Sequence, residues 1–417
     1  MILKISEISK FKVNPCNIYF AFSCLYMLQG SLYSEGIIDA FLLIIIIFWS
    51  LIVGGRYLLF LKNEPLFIKA TSLLLWMYII YGGIYMLFPL TNLPLFVHPR
   101  GYLQGGLKSL LPILVFYSYA KNGKLSVRNF RKYTYVLLWI GIVNFYYNRN
   151  LILIDALTDD QEITNNIGYV FLSIMPIIIF TIKQRFGYIL LALDLFFIYI
   201  SFKRGAIMLG TVCLIYFLFG FYKSKKTRTE KNKTLILIIL IMMFGFYYSY
   251  NLYENSQYLQ VRVEKTLEGD SSGRDRIGNR ILEEYNKNTI TQYLIGRGAN
   301  ATVIPGGNFA HHDWLEIIYN NGIIGVFLLF LFYFSLFKAI IKIKRNCKNT
   351  LMIISFQILF FIIFMKTFFS MSILNLGASL TIILGYIAYL DKINTINKNF
   401  DHNKFKNEEN YLHCLTR

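Results

Sequence analysis

Acidic residues are scarce in this chain: 23 Asp and Glu stand against 42 Lys and Arg, and both signs together make up only 16% of its 417 residues. A chain so poor in charge, 56% hydrophobic and 17% aromatic, cannot hide its apolar surface in water, which excludes a soluble protein of two or three domains. Lipid must be the solvent for most of it. Cysteine is rare too. Cys16, Cys24, Cys213, Cys347 and Cys414 are scattered without a CxxC pair, so neither a disulfide framework nor a thiolate metal site is implied. The net charge of +19 does not gather on one face, as nucleic-acid binding would require. It falls in short clusters between apolar runs, the pattern that orients membrane proteins.

What is abundant is long apolar sequence. A span needs about 20 apolar residues, with about 17 still adequate. By that measure the chain is an all-α polytopic membrane protein with about twelve transmembrane helices, near 16–32, 37–54, 66–88, 102–120, 133–148, 165–182, 186–202, 204–222, 234–252, 314–337, 350–366 and 372–390. The first run follows a mildly basic N-terminus and lacks a small-x-small cleavage site, so it reads as a retained span. The linker carrying Lys121, Lys124, Arg128, Arg131 and Lys132 has no acid. Linkers 223–233 and 338–348 are equally basic, with Glu230 the one acid between them. The positive-inside rule puts these three and both termini in the cytoplasm. The acidic linker 149–164 and the long linker 253–313 then lie outside. Residues 1–390 form one transmembrane domain with that outer loop inserted between spans 9 and 10. Residues 391–417, rich in Asn and Lys, read as a disordered cytoplasmic tail, which keeps His402 and His413 away from any outer site.

Within the outer loop, Ser271-Ser272-Gly273 suits a helix start. Ile277, Ile281, Leu282 and Tyr285 then recur at helical spacing, predicting an amphipathic helix on the membrane surface. Arg274 shares the Ile277–Ile281 face and turns inward, whereas Arg276, Arg280, Glu283 and Lys287 face water. The glycines of Gly296-Arg297-Gly298 and Gly306-Gly307 lack the strand–helix setting of a nucleotide fingerprint and read as a flexible loop.

The loop closes on NFAHHDWLEIIYNNGIIG, residues 308–325. His311 and His312 stand where water meets a membrane helix. One reading is a helix cap, with Asp313 as the first-turn acid and Trp314 in the aromatic belt. A metal reading pairs His312 with Glu316 one turn on, with His311 and Asp313 nearby, but the outer side supplies only one other histidine, His98, and no cysteine. Lys203 and Arg204 lie at an outer boundary, where cations are disfavoured. Snorkelling explains them; alternatively Gly205-Ala206 lets a substrate approach the backbone beside a functional cation. Lys108, just after Gly105-Gly106, has the same status. Arg100 and His98 read as a solvated loop, and Asp194, inside a span, as one member of a structural pair. On this topology Arg204, Arg274 and the histidines share the outer side. Two guanidinium groups suit a diphosphate, and a neutral imidazole suits taking a proton from a hydroxyl. The chemistry implied is transfer of a group away from a lipid diphosphate.

An Arg-Gly-Ala step, then SSGRDRIGNRILEEY and LIGRGANA, then AHHDWLEIIYNNGIIG leading into a span, resemble in that order the O-antigen ligase and O-antigen polymerase (Wzy-type) superfamily. The resemblance covers roughly 201–335. It implies a membrane-embedded C-type glycosyltransferase in the bacterial inner membrane, metal-independent and without cofactor. Its donor would be an undecaprenyl-diphosphate-linked oligosaccharide, its surroundings membrane lipid, and a chain-length regulator is compatible with it; nucleic acid is not a partner. Carried over, Arg204 and Arg274 hold the diphosphate and a histidine deprotonates the acceptor. The family's His followed by Asn or Asp favours His312-Asp313, leaving His311 as a neighbour. Lys203 stands where the family has a small polar residue. His311, Lys203, Lys108 and Arg100 are thus second-rank substrate-binding candidates. The expected activity is a surface-polysaccharide polymerase facing the periplasm. The alternatives are a ligase acting on lipid A core, and a lipid-linked oligosaccharide flippase, which would place its charges nearer the bilayer midplane.

Overall fold

The computed structural model describes residues 14–32, 36–90, 97, 99–156, 166–225, 227–255, 260, 264 and 274–399. Among them the fold is all-α. In chain order the helices are α1 (Pro15–Leu32), α2 (Ile37–Gly54), α3 (Arg56–Leu59), α4 (Leu66–Leu87), α5 (Pro99–Lys121), α6 (Val127–Ala156), α7 (Gly168–Phe180), α8 (Gly187–Ile200), α9 (Arg204–Ser224) and α10 (Arg228–Asn255). There follow α11 (Arg274–Tyr285), α12 (Ile290–Ile295), α13 (Val303–Gly306), α14 (Asp313–Asn346), α15 (Thr350–Lys366), a 3-10 turn (Ile373–Asn375) and α16 (Ala378–Asn399).

Each of the twelve segments expected to span overlaps one of these helices, although the last, 372–390, opens with the 3-10 turn and is α-helical only from Ala378. By length and composition α2, α4, α9 and α14 can cross a membrane, and the shorter apolar helices Pro15–Leu28, Gly168–Phe180, Gly187–Ile200 and Thr350–Lys366 accompany them. The chain is a multi-pass membrane protein. Its exposed helix faces agree: Phe41, Ile44, Phe48, Leu51 and Ile52 stand out along α2, a surface suited to lipid rather than water.

At the centre, the middle of α5 is apolar all round. Leu110, Leu111, Ile113, Leu114, Val115, Phe116 and Tyr117 are fully buried, as a helix enclosed on every side requires. Helices α2, α4 and α16 pack around it. At one end Glu64 accepts from Lys121 (3.0 Å), Lys392 (2.9 Å) and Tyr117, and Lys342 meets Asp391 at 2.8 Å. Asp391 and Lys392 therefore belong to α16, which runs to Asn399. The tail expected from 391 begins with about two helical turns, because these ion pairs hold it. Residues 400–417 lie outside the described residues. The acidic linker expected from 149 likewise opens inside α6, which continues to Ala156.

Helix α14 is broken at Gly322, whose φ of 64° and ψ of −161° are not helical. The break frees carbonyls of the preceding turn, and the connector that follows α12 takes them up: Arg297 N donates to Tyr319 O and Gly298 N to Asn320 O, each at 2.9 Å. Tyr81 and Tyr85 of α4 donate in turn to the carbonyls of Ile295 and Arg297 at 2.6 and 3.0 Å. The segment read as a flexible loop is thus pinned from two sides. Its glycines serve close approach, since a Cβ on Gly298 would sit 1.8 Å from the Tyr85 ring.

Candidate functional site

The first turn of α14 is stapled to the turn that follows α15. Asp313 N donates to Thr367 O at 2.8 Å, and Trp314 Nε1 donates to Thr367 Oγ1 at 2.8 Å. The buried Asp313 carboxylate accepts from the backbone of Ser372 at 2.9 Å and Ile373 at 3.0 Å. His312 is the N-cap: its Nδ1 accepts from Leu315 N at 3.2 Å, and its ring stands edge-on to Phe368 with centroids 5.8 Å apart. An imidazole whose Nδ1 accepts a hydrogen bond carries its proton on Nε2 when neutral. Helix capping therefore occupies the one lone pair with which His312 could take a proton.

Helix α11 approaches the same turn. Ile281 is fully buried and Ile277 partly so, in a small second core with Ala301, Ala310 and Tyr319. Arg274, one and two turns back on that face, points inward as its phase predicts, and its Nη1 donates to Phe369 O at 2.6 Å. Leu282 departs from expectation. It is exposed, because one step past Ile281 turns it about a quarter of the way round the helix. Arg276, Arg280, Glu283 and Lys287 face outward as expected. The proposed helix start at Ser271–Gly273 lies outside the described residues.

The α8–α9 turn reaches the other side of Phe369. Phe202 takes a left-handed φ of 52°, Lys203 caps α9, and Arg204 is its first residue. A Cβ on Gly205 would lie 2.3 Å from the Tyr169 hydroxyl and 2.9 Å from the Phe369 ring, and Ala206 is buried. These small residues therefore admit Tyr169 and Phe369, not a substrate. Their consequence is indirect: close packing brings the Lys203–Arg204 step to the turn that holds Arg274.

His311 takes a left-handed φ of 53° and feels the charges of both elements, from Arg274 and from Lys203. Of the three described non-glycine residues with positive φ, it and Phe202 flank the site, where strained backbone commonly fixes functional groups. Burial holds the His311 pKa below the ordinary 6.5, and the charges of Arg274 and Lys203 lower it further. Burial also lowers that of His312, without a cationic neighbour contributing. Of the two imidazoles, His311 is the one on which the cations act, and they add to the lowering that burial begins.

The other candidates do not join this group. Lys108 shares its electrostatic surroundings with Asp39 of α2, and Gly105 and Gly106 seat Leu374 and Tyr78, which is packing. Arg100 is exposed at the start of α5, and His98 lies outside the described residues. Asp194 is 0% exposed, and neither carboxyl oxygen has a hydrogen-bond partner among the described residues, so the expected pairing is not found. The metal reading loses Glu316. Its carboxylate accepts from Ala310 N at 2.5 Å, from Thr302 Oγ1 and from Asn320 Nδ2 at 3.2 Å, which locks the connector to α14. Sequence reasoning also missed Lys366, whose ammonium lies 4.9 Å from the Tyr169 ring centre. It is a cation at an expected outer boundary, the same signal that singled out Lys203 and Arg204.

The stretch that supplies the Lys203–Arg204 step, Arg274 and both histidines is also the stretch that a protein-family model covers. Residues 188–330 match the O-antigen ligase family, Wzy_C. Members of Wzy_C are glycan-transferring enzymes that act on lipid-linked glycans. The matched stretch runs from α8 past the Gly322 break in α14; Tyr169, Lys366 and Phe369 lie outside it. No curated protein matches the chain.

Proposed function

We propose that this protein is a surface-polysaccharide polymerase that moves a growing glycan from undecaprenyl diphosphate onto a hydroxyl of a new lipid-linked repeat unit. Twelve of its helices span the inner membrane with both termini cytoplasmic, and the site faces the periplasm. The observation that carries this reading is the meeting of Arg274 and the Lys203–Arg204 step at Phe369, with the His311 imidazole within electrostatic reach of Arg274 and Lys203. His311, rather than His312, accepts the proton of the attacking hydroxyl, because His312 Nδ1 is engaged as a cap. The hydroxyl oxygen bonds to the anomeric carbon, and the bond from that carbon to the phosphate oxygen breaks with its electron pair. Arg204 and Arg274 stabilise the charge that gathers on the departing diphosphate. No step calls on a metal ion.

The name of the matched family, O-antigen ligase, supports a second reading in which lipid A core is the acceptor; the donor and the chemistry are the same. A gel of surface polysaccharide from a deletion strain separates the two. A ladder replaced by a single attached repeat marks a polymerase, and loss of every attached repeat marks a ligase. Purified protein that carries lipid-linked oligosaccharide across vesicles without lengthening or transferring it would overturn both.

A further inference from the structure

Lys366 ends α15 beside the same turn that holds Arg274, and the mechanism above leaves it without a task. Its ammonium faces the Tyr169 ring at 4.9 Å. The hydroxyl of that ring fills the space at Gly205, so Tyr169 spans the gap between Lys366 and the Arg204 step. Asp313 lies near enough for the two charges to act on one another. Yet no ion pair of 4.0 Å or less joins them, and the carboxylate is turned to the backbone of Ser372 and Ile373. Among the described residues the ammonium makes no hydrogen bond, leaving three donors unspent. Arg274 acts on the same Tyr169 ring. A part-buried cation with one offset counter-charge is costly to maintain, and a polyanion relieves that cost.

We infer that Lys366 is a further substrate-binding cation of this site, its ammonium contacting a phosphate of the diphosphate that Arg204 and Arg274 hold. The inference rests on the glycan-transfer reading and extends it to a residue outside the stretch matched by the family. The division of labour follows from shape. Guanidinium forks take paired oxygens, and an ammonium on a flexible stem acts as a point charge. As the bond from the anomeric carbon to the phosphate oxygen breaks, its electron pair stays with the diphosphate. The acceptor's proton goes to His311, so a fixed cation at the phosphate gains importance as the group leaves.

The test is equilibrium binding of inorganic pyrophosphate to the purified full chain in nanodiscs of uncharged lipid. Lys366→Met is expected to weaken binding by at least about tenfold, the scale of one lost charge-assisted hydrogen bond, with Lys366→Arg restoring most of it. If Lys366→Met fails to fold, Lys366→Met combined with Asp313→Asn removes the pair together, and the same loss is expected. Unchanged binding in either folded variant, with binding lost in Arg204→Ala and Arg274→Ala, overturns the inference and leaves the glycan-transfer reading standing. Absence of pyrophosphate binding by the unmodified chain overturns the diphosphate clamp itself.

Discussion

His312 Nδ1 accepts the backbone N–H of Leu315 at 3.2 Å, which makes that histidine part of the helix start and, on the proposed mechanism, leaves the proton to His311. His311→Ala should lower chain extension by about 10²- to 10⁴-fold, the usual contribution of a general base, with little change in thermal stability. His312→Ala should cost about 1 kcal/mol of stability, and His312→Asn, a good cap, should recover it. Extension assays on purified lipid-linked repeats, alongside thermal unfolding, read both effects. The reverse pattern, with His312→Ala inactive yet stable, would return the base to His312.

The pH profile carries the same assignment. Burial first, then Arg274 and Lys203, hold the His311 pKa below 6.5, so the neutral base persists into mildly acid solution. The acid limb of kcat/KM should therefore fall below pH 6.5, and Lys203→Gln should move it upward. The sign for stability follows: the unfolded chain binds this proton more readily, so the contribution of His311 is present above 6.5 and is lost as pH falls through its lowered folded-state value. An acid limb that ignores Lys203→Gln would separate the titrating group from this pair.

Much of this arrangement was legible in residue order, and what was not has physical causes. Apolar run length located the helices, and helical phase turned Arg274 inward. Charge pattern marked Lys203 and Arg204. Local pattern could not distinguish His311 from His312, because a cap is defined by where the next N–H groups point. Nor could it show that Gly205 receives Tyr169 and Phe369, or that Gly298 receives Tyr85. Those contacts join residues far apart in the chain. The same blindness turned a pinned connector into a flexible loop: glycines of left-handed φ serve both, and only the partners Tyr81, Tyr85, Tyr319 and Asn320 decide.

Arg204→Ala and Arg274→Ala should each lower transfer by about 10²- to 10³-fold, as loss of one charge-stabilising group does, without loss of expression. Lysine should rescue poorly at both positions, since it cannot reproduce the planar fork. At Arg274 it must also replace the 2.6 Å contact to Phe369 O and so cannot serve backbone and phosphate together. Rates for purified variants on one lipid-linked donor decide this, and full rescue by lysine would reduce the clamp to simple charge.

Gly298 and Gly307 both have positive φ, at 114° and 73°, but only Gly298 is hemmed in, by Tyr85. Gly307→Ala meets open space and should cost about 1 kcal/mol from backbone strain alone. Gly298→Ala must also displace the ring whose hydroxyl holds Arg297 O, adding about 1 to 3 kcal/mol. Thermal unfolding of the two variants should separate them clearly. Equal costs would mean that the connector yields to Tyr85 instead of being held by it.

Glu316 offers the sharpest division between a structural and a metal-binding outer site. Three donors converge on its carboxylate, from Ala310, Thr302 and Asn320, and a carboxylate that accepts from three protein groups has few lone pairs left to share with His312. Glu316→Gln keeps the shape but turns an N–H₂ toward one of those donors, leaving a buried group unsatisfied at about 1 to 3 kcal/mol. The variant should therefore be less stable, with its residual activity indifferent to chelator or added zinc. Activity abolished by chelation and restored by zinc in the unmodified protein, with Glu316→Gln lowering zinc affinity, would make the His312–Glu316 turn a metal ligand pair and reassign the chemistry of the loop.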